Sequence, residues 1–287
     1  MLLGVPNFSE GRDESLIERI AAQFSAGAEL LDRHSDPLHN RTVLTLAQRP
    51  RALGEALVRG AGACFTALNL NSHAGAHPRT GVLDVCPVVW LDEGDREAAI
   101  ADAKGVGRSI GDAGVPVFLY GDLASSEERR ERAYFREGGI RRLTERMAAG
   151  ELTPDAGPAA PHPRAGAALV TARPPLAAFN VELVGLSIDA ARKAAAKVRE
   201  AGGGLPGVRA IAIDRGGDRA QISTNVHDPI SVPLAEVVAA IRGAAGDARL
   251  VSAEIVGLVP RAAMEGFQDE VPLPAFDPAQ HVIEERL

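Results

Sequence analysis

Two of the seven histidines in this 287-residue chain, His73 and His77, stand close together in the segment HAGAHPRTGVLDVCPVVW, which runs from His73 to Trp90. An imidazole exchanges a proton near neutral pH, so one well-placed histidine can take a proton from an attacking group and return it to a leaving one. Arg79 follows at once, a guanidinium able to hold a carboxylate through two parallel hydrogen bonds. Asp84, a little further on, is a candidate to orient the imidazole. Gly75 and Pro78 interrupt any helix that would stack the two histidines on one face. Both therefore belong on a tight loop ahead of a strand, the kind of place where catalytic side chains concentrate.

Two other readings of the pair stand beside this one. A zinc protease motif, H-E-x-x-H, needs glutamate where Ala74 stands and a helix where Gly75 and Pro78 stand. That motif fails, although His34 and His39 leave a different ligand set open. A purely structural loop, with histidines capping strands, is the second alternative. Other look-alikes carry less. The run GGGLPG from Gly202 to Gly207 fits G-x-G-x-x-G by letter, but it follows a helical pattern and contains Pro206, so it reads as a helix end and turn. Gly105, Gly107 and Gly111 lie inside a helical pattern and permit close packing. The charge run from Ser126 to Arg142 mixes both signs and reads as a solvated helical face.

The elements that must position the loop follow from periodicity. The first half reads as strand Leu2–Pro6, helix Asp13–Ser25, strands Ala28–Asp32 and Arg41–Ala47, helix Arg51–Leu68, strand Val82–Leu91, helix Asp95–Gly111 and strand Val115–Tyr120. Thr153–Pro175 holds six prolines and reads as a linker or shaped loop. Beyond it come strand Leu176–Leu186, helix Ile188–Ala201, strands Val208–Asp214 and Ala220–Val226, helix Leu234–Ala245 and strand Leu250–Val256. That βαββαβ order is ferredoxin-like. The expected fold is α+β: two similar α/β sandwiches, residues 1–175 and 176–287, hinged near residue 175. The tail from Gln268 is expected to pack loosely.

Composition narrows the function classes. A net charge of −7 with no basic run argues against nucleic-acid binding, so an anionic substrate would need local positive charge. Cys64 and Cys86 lack metal-ligand spacing, and a reducing cytoplasm is the expected setting. No signal segment and no run of membrane-spanning length is evident.

Taken in order, several motifs resemble one family. VPNFSEGR near the N-terminus, LLD and DP..NRTV between residues 30 and 43, and HAGAHPRTGVLDVCP at 73–87 are similar to the formiminotransferase domain. So are VPVFLYG at 115–121, PDAGP and HPRAGA between 154 and 167, AFNVEL at 178–183, STNVHD at 223–228 and VGLVP at 256–260. The resemblance implies transfer of a formimino group from N-formimino-L-glutamate to N5 of tetrahydrofolate, the co-substrate, with no metal. It further implies a folate groove between two subdomains, a homodimer, small molecules as the only partners, and, from where the sequence stops, a transferase without cyclodeaminase activity. His77 matches the family's catalytic histidine, and Asp36 and His34 are candidate catalytic partners. His73, Arg79, Arg41 and Asn40 line the substrate side, and the family's folate stretch matches Gly157, Pro158, His162, Arg164 and Gly166. The chain departs from the animal pattern at Ala76, which replaces a glutamate, and at His34, which replaces an acidic residue that Asp36 could substitute. His162 and Arg164 also differ. A formyl donor, and a non-catalytic folate- or amino-acid-binding protein on the same fold, are the alternatives.

Overall fold

Residues 1–267 and 271–287 are described by the computed structural model, and the chain divides into two units, Met1–Pro174 and Pro175–Leu287. The first comprises β1 (Leu2–Gly4), β2 (Asn7–Phe8), α1 (Glu14–Ser25), β3 (Glu29–Asp36), β4 (Arg41–Gln48), α2 (Ala52–Ala67), β5 (Leu83–Trp90), α3 (Arg96–Asp112), β6 (Val117–Leu119), α4 (Arg132–Arg136), α5 (Gly139–Ala148) and β7 (Ala168–Arg173). The second comprises β8 (Ala177–Val184), α6 (Ile188–Val198), β9 (Val208–Gly216), β10 (Arg219–Val226), α7 (Leu234–Ala245), β11 (Arg249–Ile255), α8 (Pro278–His281) and α9 (Ile283–Arg286).

The first unit is built on a seven-stranded sheet. The expected strand Leu2–Pro6 is broken: β1 and β2 each lie between β4 and β5, interrupted where Pro6 has no N–H to donate. β3 pairs antiparallel with β4, while β7 runs parallel to both β5 and β6. α1 begins where the Asp13 carboxylate accepts the Leu16 N–H at 2.9 Å, and it buries Ile17, Ile20 and Phe24. One face of the sheet, with Leu44, Leu46, Cys86, Val88 and Val170, packs on α1, α2 and α3. The other, with Val85, Phe118 and Leu169, packs on Phe135, Leu143 and Met147 of α4 and α5. Being covered on both faces, β5 is buried throughout and is apolar from Val85 to Trp90, with Asp84 the one charged residue in it.

Three expectations are corrected. The presumed linker Thr153–Pro175 contains β7, an interior strand; its flanking prolines hid a short apolar core segment. The charged run from Ser126 to Arg142 is a solvated face only in part: Glu127, Glu128, Arg130, Glu137, Arg141 and Arg142 are exposed, but the segment turns inward at Phe135 and again just beyond the run. Arg146 is buried, lies 4.2 Å from the Tyr134 ring centroid and donates to the Tyr134 carbonyl at 2.6 Å, and Arg136 pairs with buried Asp84. The tail is anchored rather than loose. Val271, Val282 and Ile283 are buried, the Ala253 N–H donates to the Pro272 carbonyl at 2.7 Å, and Val259 bridges to Val282. The start of that tail, residues 268–270, lies outside the described residues.

The second unit is an antiparallel four-stranded sheet in the order β11-β8-β10-β9. Phe179, Val181, Ile222 and Ala253 share one core with Ala194 of α6 and Val237 and Ile241 of α7. The opposite face is polar: Asn180 stands across from Ser223 and from Glu254, and its amide donates to Glu254 Oε2 at 3.0 Å. The Gly202–Gly207 run is a turn after α6, with Gly203 at φ 81°, as its context predicted.

Candidate active site

The histidine loop is held against the turn between β3 and β4. Asn40 adopts φ 49° to make that turn, and its side chain then ties two segments together: Oδ1 accepts the Gly11 N–H at 2.8 Å and Nδ2 donates to the Ala74 carbonyl at 3.0 Å. The Ala76 N–H donates to the Leu38 carbonyl at 3.1 Å. Gly75 passes so close that a β-carbon would lie 2.2 Å from the His39 carbonyl oxygen, so only glycine fits. Backbone bonding, rather than any helix, sets the spacing of the two histidines.

Each imidazole is neutral and each has a defined tautomer. His77 Nδ1–H donates to the Pro78 carbonyl at 2.7 Å, leaving Nε2 to accept from Arg41 Nη1 at 2.9 Å. Burial first, then the charges of Arg41 and Arg136, hold the pKa of His77 well below 6.5. His73 is arranged the other way round. Its Nε2–H donates to the Asn40 carbonyl at 2.8 Å, and Nδ1 accepts from Arg79 Nη1. Burial lowers His73 as well. The second nitrogen of Arg79, Nη2, donates to the Gly75 and His77 carbonyls, both at 2.7 Å, so this guanidinium braces the loop.

Asp84 does not orient His77. Its Oδ1 accepts from Thr80 N–H at 2.8 Å and from the Thr80 hydroxyl at 3.2 Å, while Oδ2 pairs with Arg136. The orienting role belongs to the Pro78 carbonyl, a backbone group that side-chain reasoning passed over. Asp36 caps its own turn, accepting from the Leu38 and His39 N–H groups at 2.7 and 2.8 Å. Its Oδ2 is 3.5 Å from Nδ1 of His39, whose ring stands 5.7 Å from that of His77. Asp36 thus faces His77 through His39, a residue that sequence reasoning weighed only as a metal ligand. His34, two residues before Asp36 on β3, stands opposite Val43.

The folate-like stretch divides. His162 closes a tight turn by pairing with the Gly166 backbone at 2.8 Å in both directions, and its Nδ1 accepts from the Ala165 N–H at 3.0 Å. Gly166, at φ 72°, lies against the Thr80 carbonyl, which brings this turn beside the stem of the histidine loop. The Arg164 side chain is exposed while its carbonyl accepts the Leu70 N–H at 2.7 Å. Gly157 and Pro158 lie elsewhere, Gly157 at φ 84° against Gly111 and the Val115 carbonyl. The AFNVEL and STNVHD segments are the paired strands β8 and β10 of the second unit.

The electrostatics of the first unit are lopsided. Among the described residues no carboxylate lies within ion-pair distance of Arg41, Arg79, Arg132 or Arg173. Burial pushes Arg41 and Arg173 down to about 10 and lowers Arg132, yet all remain charged at neutral pH. Asp84 acts on Arg41, Arg79 and Arg132 only from beyond ion-pair distance, and half-buried cations without a direct partner are costly unless a ligand supplies the charge. Among the described residues no cluster of three or more His, Cys, Asp or Glu is disposed to hold a metal ion.

A neutral imidazole among guanidiniums beside an α/β sheet is equipped for proton transfer on an anionic substrate, the chemistry of a group-transfer enzyme. Comparison with known proteins is specific. Residues 1–173 match the formiminotransferase domain, N-terminal subdomain, and residues 178–268 match the formiminotransferase domain. A glutamate formimidoyltransferase of Streptococcus pyogenes serotype M1 is 34% identical over 91% of this chain and 89% of its own length. One of Thermoplasma acidophilum is 32% identical over 91% and 88%. The formimidoyltransferase-cyclodeaminase of Sus scrofa is 35% identical over 91% of this chain, which spans only 50% of that protein. The chain belongs to the formiminotransferase family, and it is a transferase.

Proposed function

We propose that this enzyme moves the formimino group of N-formimino-L-glutamate to N5 of tetrahydrofolate, a step of histidine degradation, with His77 as the proton carrier. The observation that supports this role is the His77 tautomer: with Nδ1–H committed to Pro78, Nε2 carries the lone pair that can take a proton. N5 attacks the amidine carbon, forming a C–N bond and a tetrahedral intermediate. Nε2 takes the N5 proton and then gives it to the glutamate nitrogen as the old C–N bond breaks. One group serving both transfers contributes about 10²- to 10⁴-fold. Arg41, which occupies Nε2 in the free enzyme, turns to a substrate carboxylate when one enters. Arg79 keeps His73 and the loop backbone in place. Asn40 positions the loop, and Asp36 acts on His77 through His39. His162, Arg164 and Gly166 form the wall beside Thr80 on which folate rests. The second unit is read as a ferredoxin-like sandwich, and the enzyme as a cytoplasmic homodimer.

The test is to mix the protein with N-formimino-L-glutamate and tetrahydrofolate and follow 5-formiminotetrahydrofolate and glutamate, expected in equal amounts. N-formylglutamate in a parallel reaction decides between donors. His77→Ala should keep folate affinity and lose at least about 100-fold in kcat. Full activity in that variant removes His77 from the mechanism, and folate binding without product from either donor favours a ligand-binding protein.

A further inference from the structure

The His77–Arg41 centre uses only part of the positive charge in the first unit. α4 is fixed by the ion pair of Arg136 with Asp84, which is 1% exposed and already bonded to Thr80. Arg132 lies one turn earlier on that helix, on the same side as Arg136. Arg173 ends β7. Its neighbours Val170 and Ala172 face the α1–α3 core, so Arg173 emerges on the face where α4 lies. It spends Nη1 on the Pro174 carbonyl at 2.8 Å. Tyr120, 7% exposed at the end of β6, is near enough to act on both guanidiniums, and Arg132 itself depresses Arg173. Two half-buried cations therefore face the same side of the sheet, within electrostatic reach of each other and of a phenol; Asp84 and Glu131 act on Arg132 from beyond ion-pair distance.

We propose that Arg132 and Arg173, with Tyr120, form a carboxylate subsite adjoining the His77–Arg41 centre, which receives a free carboxylate of a glutamyl group. The Asp84–Arg136 pair positions α4 for it. This inference rests on the formimino-transfer reading for its substrates, but not for its physical basis. Two sources of the carboxylate share one chemistry: the glutamate of the donor and the glutamyl tail of the folate. Two charge-assisted hydrogen bonds are lost when a guanidinium becomes an amide, so affinity should fall about 10- to 100-fold.

The experiment uses Arg132→Gln, Arg173→Gln and the double variant in the full-length protein. The Michaelis constant for one substrate should rise at least about 10-fold, with kcat changed less than about threefold. A rise for formiminoglutamate places the donor on the subsite; a rise for tetrahydrofolate that grows with the number of glutamyl residues places the folate tail there. Arg132→Lys, which keeps the charge, should recover part of the loss. Melting supplies the structural control. Removing a half-buried cation that has no direct ion pair should leave the melting temperature unchanged or higher, and glutarate should raise it more in the parent protein than in the double variant. Unchanged Michaelis constants for both substrates, equal protection by glutarate, or a lowered melting temperature with loss of kcat would each overturn the subsite. A parent protein without formimino transfer refutes the proposed function instead, and the glutarate melts still decide the subsite.

Discussion

At the scale of single residues, the site is an imidazole kept neutral by its surroundings. Burial and neighbouring guanidiniums place His77 well below 6.5, and burial lowers His73 in the same direction. The unfolded chain therefore binds protons more readily than the folded one just below pH 6.5, so stability falls as pH drops from 6.5 toward the folded values. Urea unfolding between pH 7 and pH 5 should show a declining midpoint, and His77→Asn should flatten the decline; an unchanged slope would assign it to other groups. Substrate carboxylates offset the cations that depress His77, so the acid limb of kcat should lie at higher pH than that of kcat/KM. Much of this was legible in the sequence. Gly75 and Pro78 exclude a helix, and His77 and Arg41 stand in recognisable motifs. Arg132, Arg136 and Arg173 were not, because mixed charge normally signals solvent and burial of an arginine is decided by what folds over it. The aromatic pair Tyr134–Phe135 inside the charged run was the one local sign that this segment turns inward.

At the scale of elements, the reactive geometry depends on a loop pressed against a hairpin turn. Gly75→Ala would drive a methyl group into the His39 carbonyl, lift the loop from Leu38 and separate His77 from Arg41. A loss of kcat of about 10-fold or more is expected, since small misplacements of a reacting group are costly. Gly62→Ala is the matched control. Gly62 lies in α2 with open space around the new methyl group, and alanine there should add about 0.5–1 kcal/mol of stability with activity unchanged. Steady-state rates and thermal melts on both variants separate positioning from stability. The order of strands and helices could be read from periodicity in both halves. β7 could not, because prolines on either side gave a short apolar run the appearance of a linker.

At the scale of the whole molecule, the net charge is −7 while the surroundings of His77 are cationic, so attraction of an anionic substrate acts at short range. The two units keep separate apolar cores. The family match to the second ends at residue 268, yet Val271, Val282 and Ile283 are buried beyond it. Ile283→Ala should cost roughly 2 kcal/mol or more, seen as a lower denaturation midpoint for the second unit, and a chain cut at residue 268 should fail to give that transition. The bridge from Val259 to Val282 also has a consequence in time. During synthesis the first unit has every residue of its sheet once Arg173 is made. The second can pack α6 and α7 on its sheet earlier, but Val259 has its bridging partner only when Val282 has emerged from the ribosome.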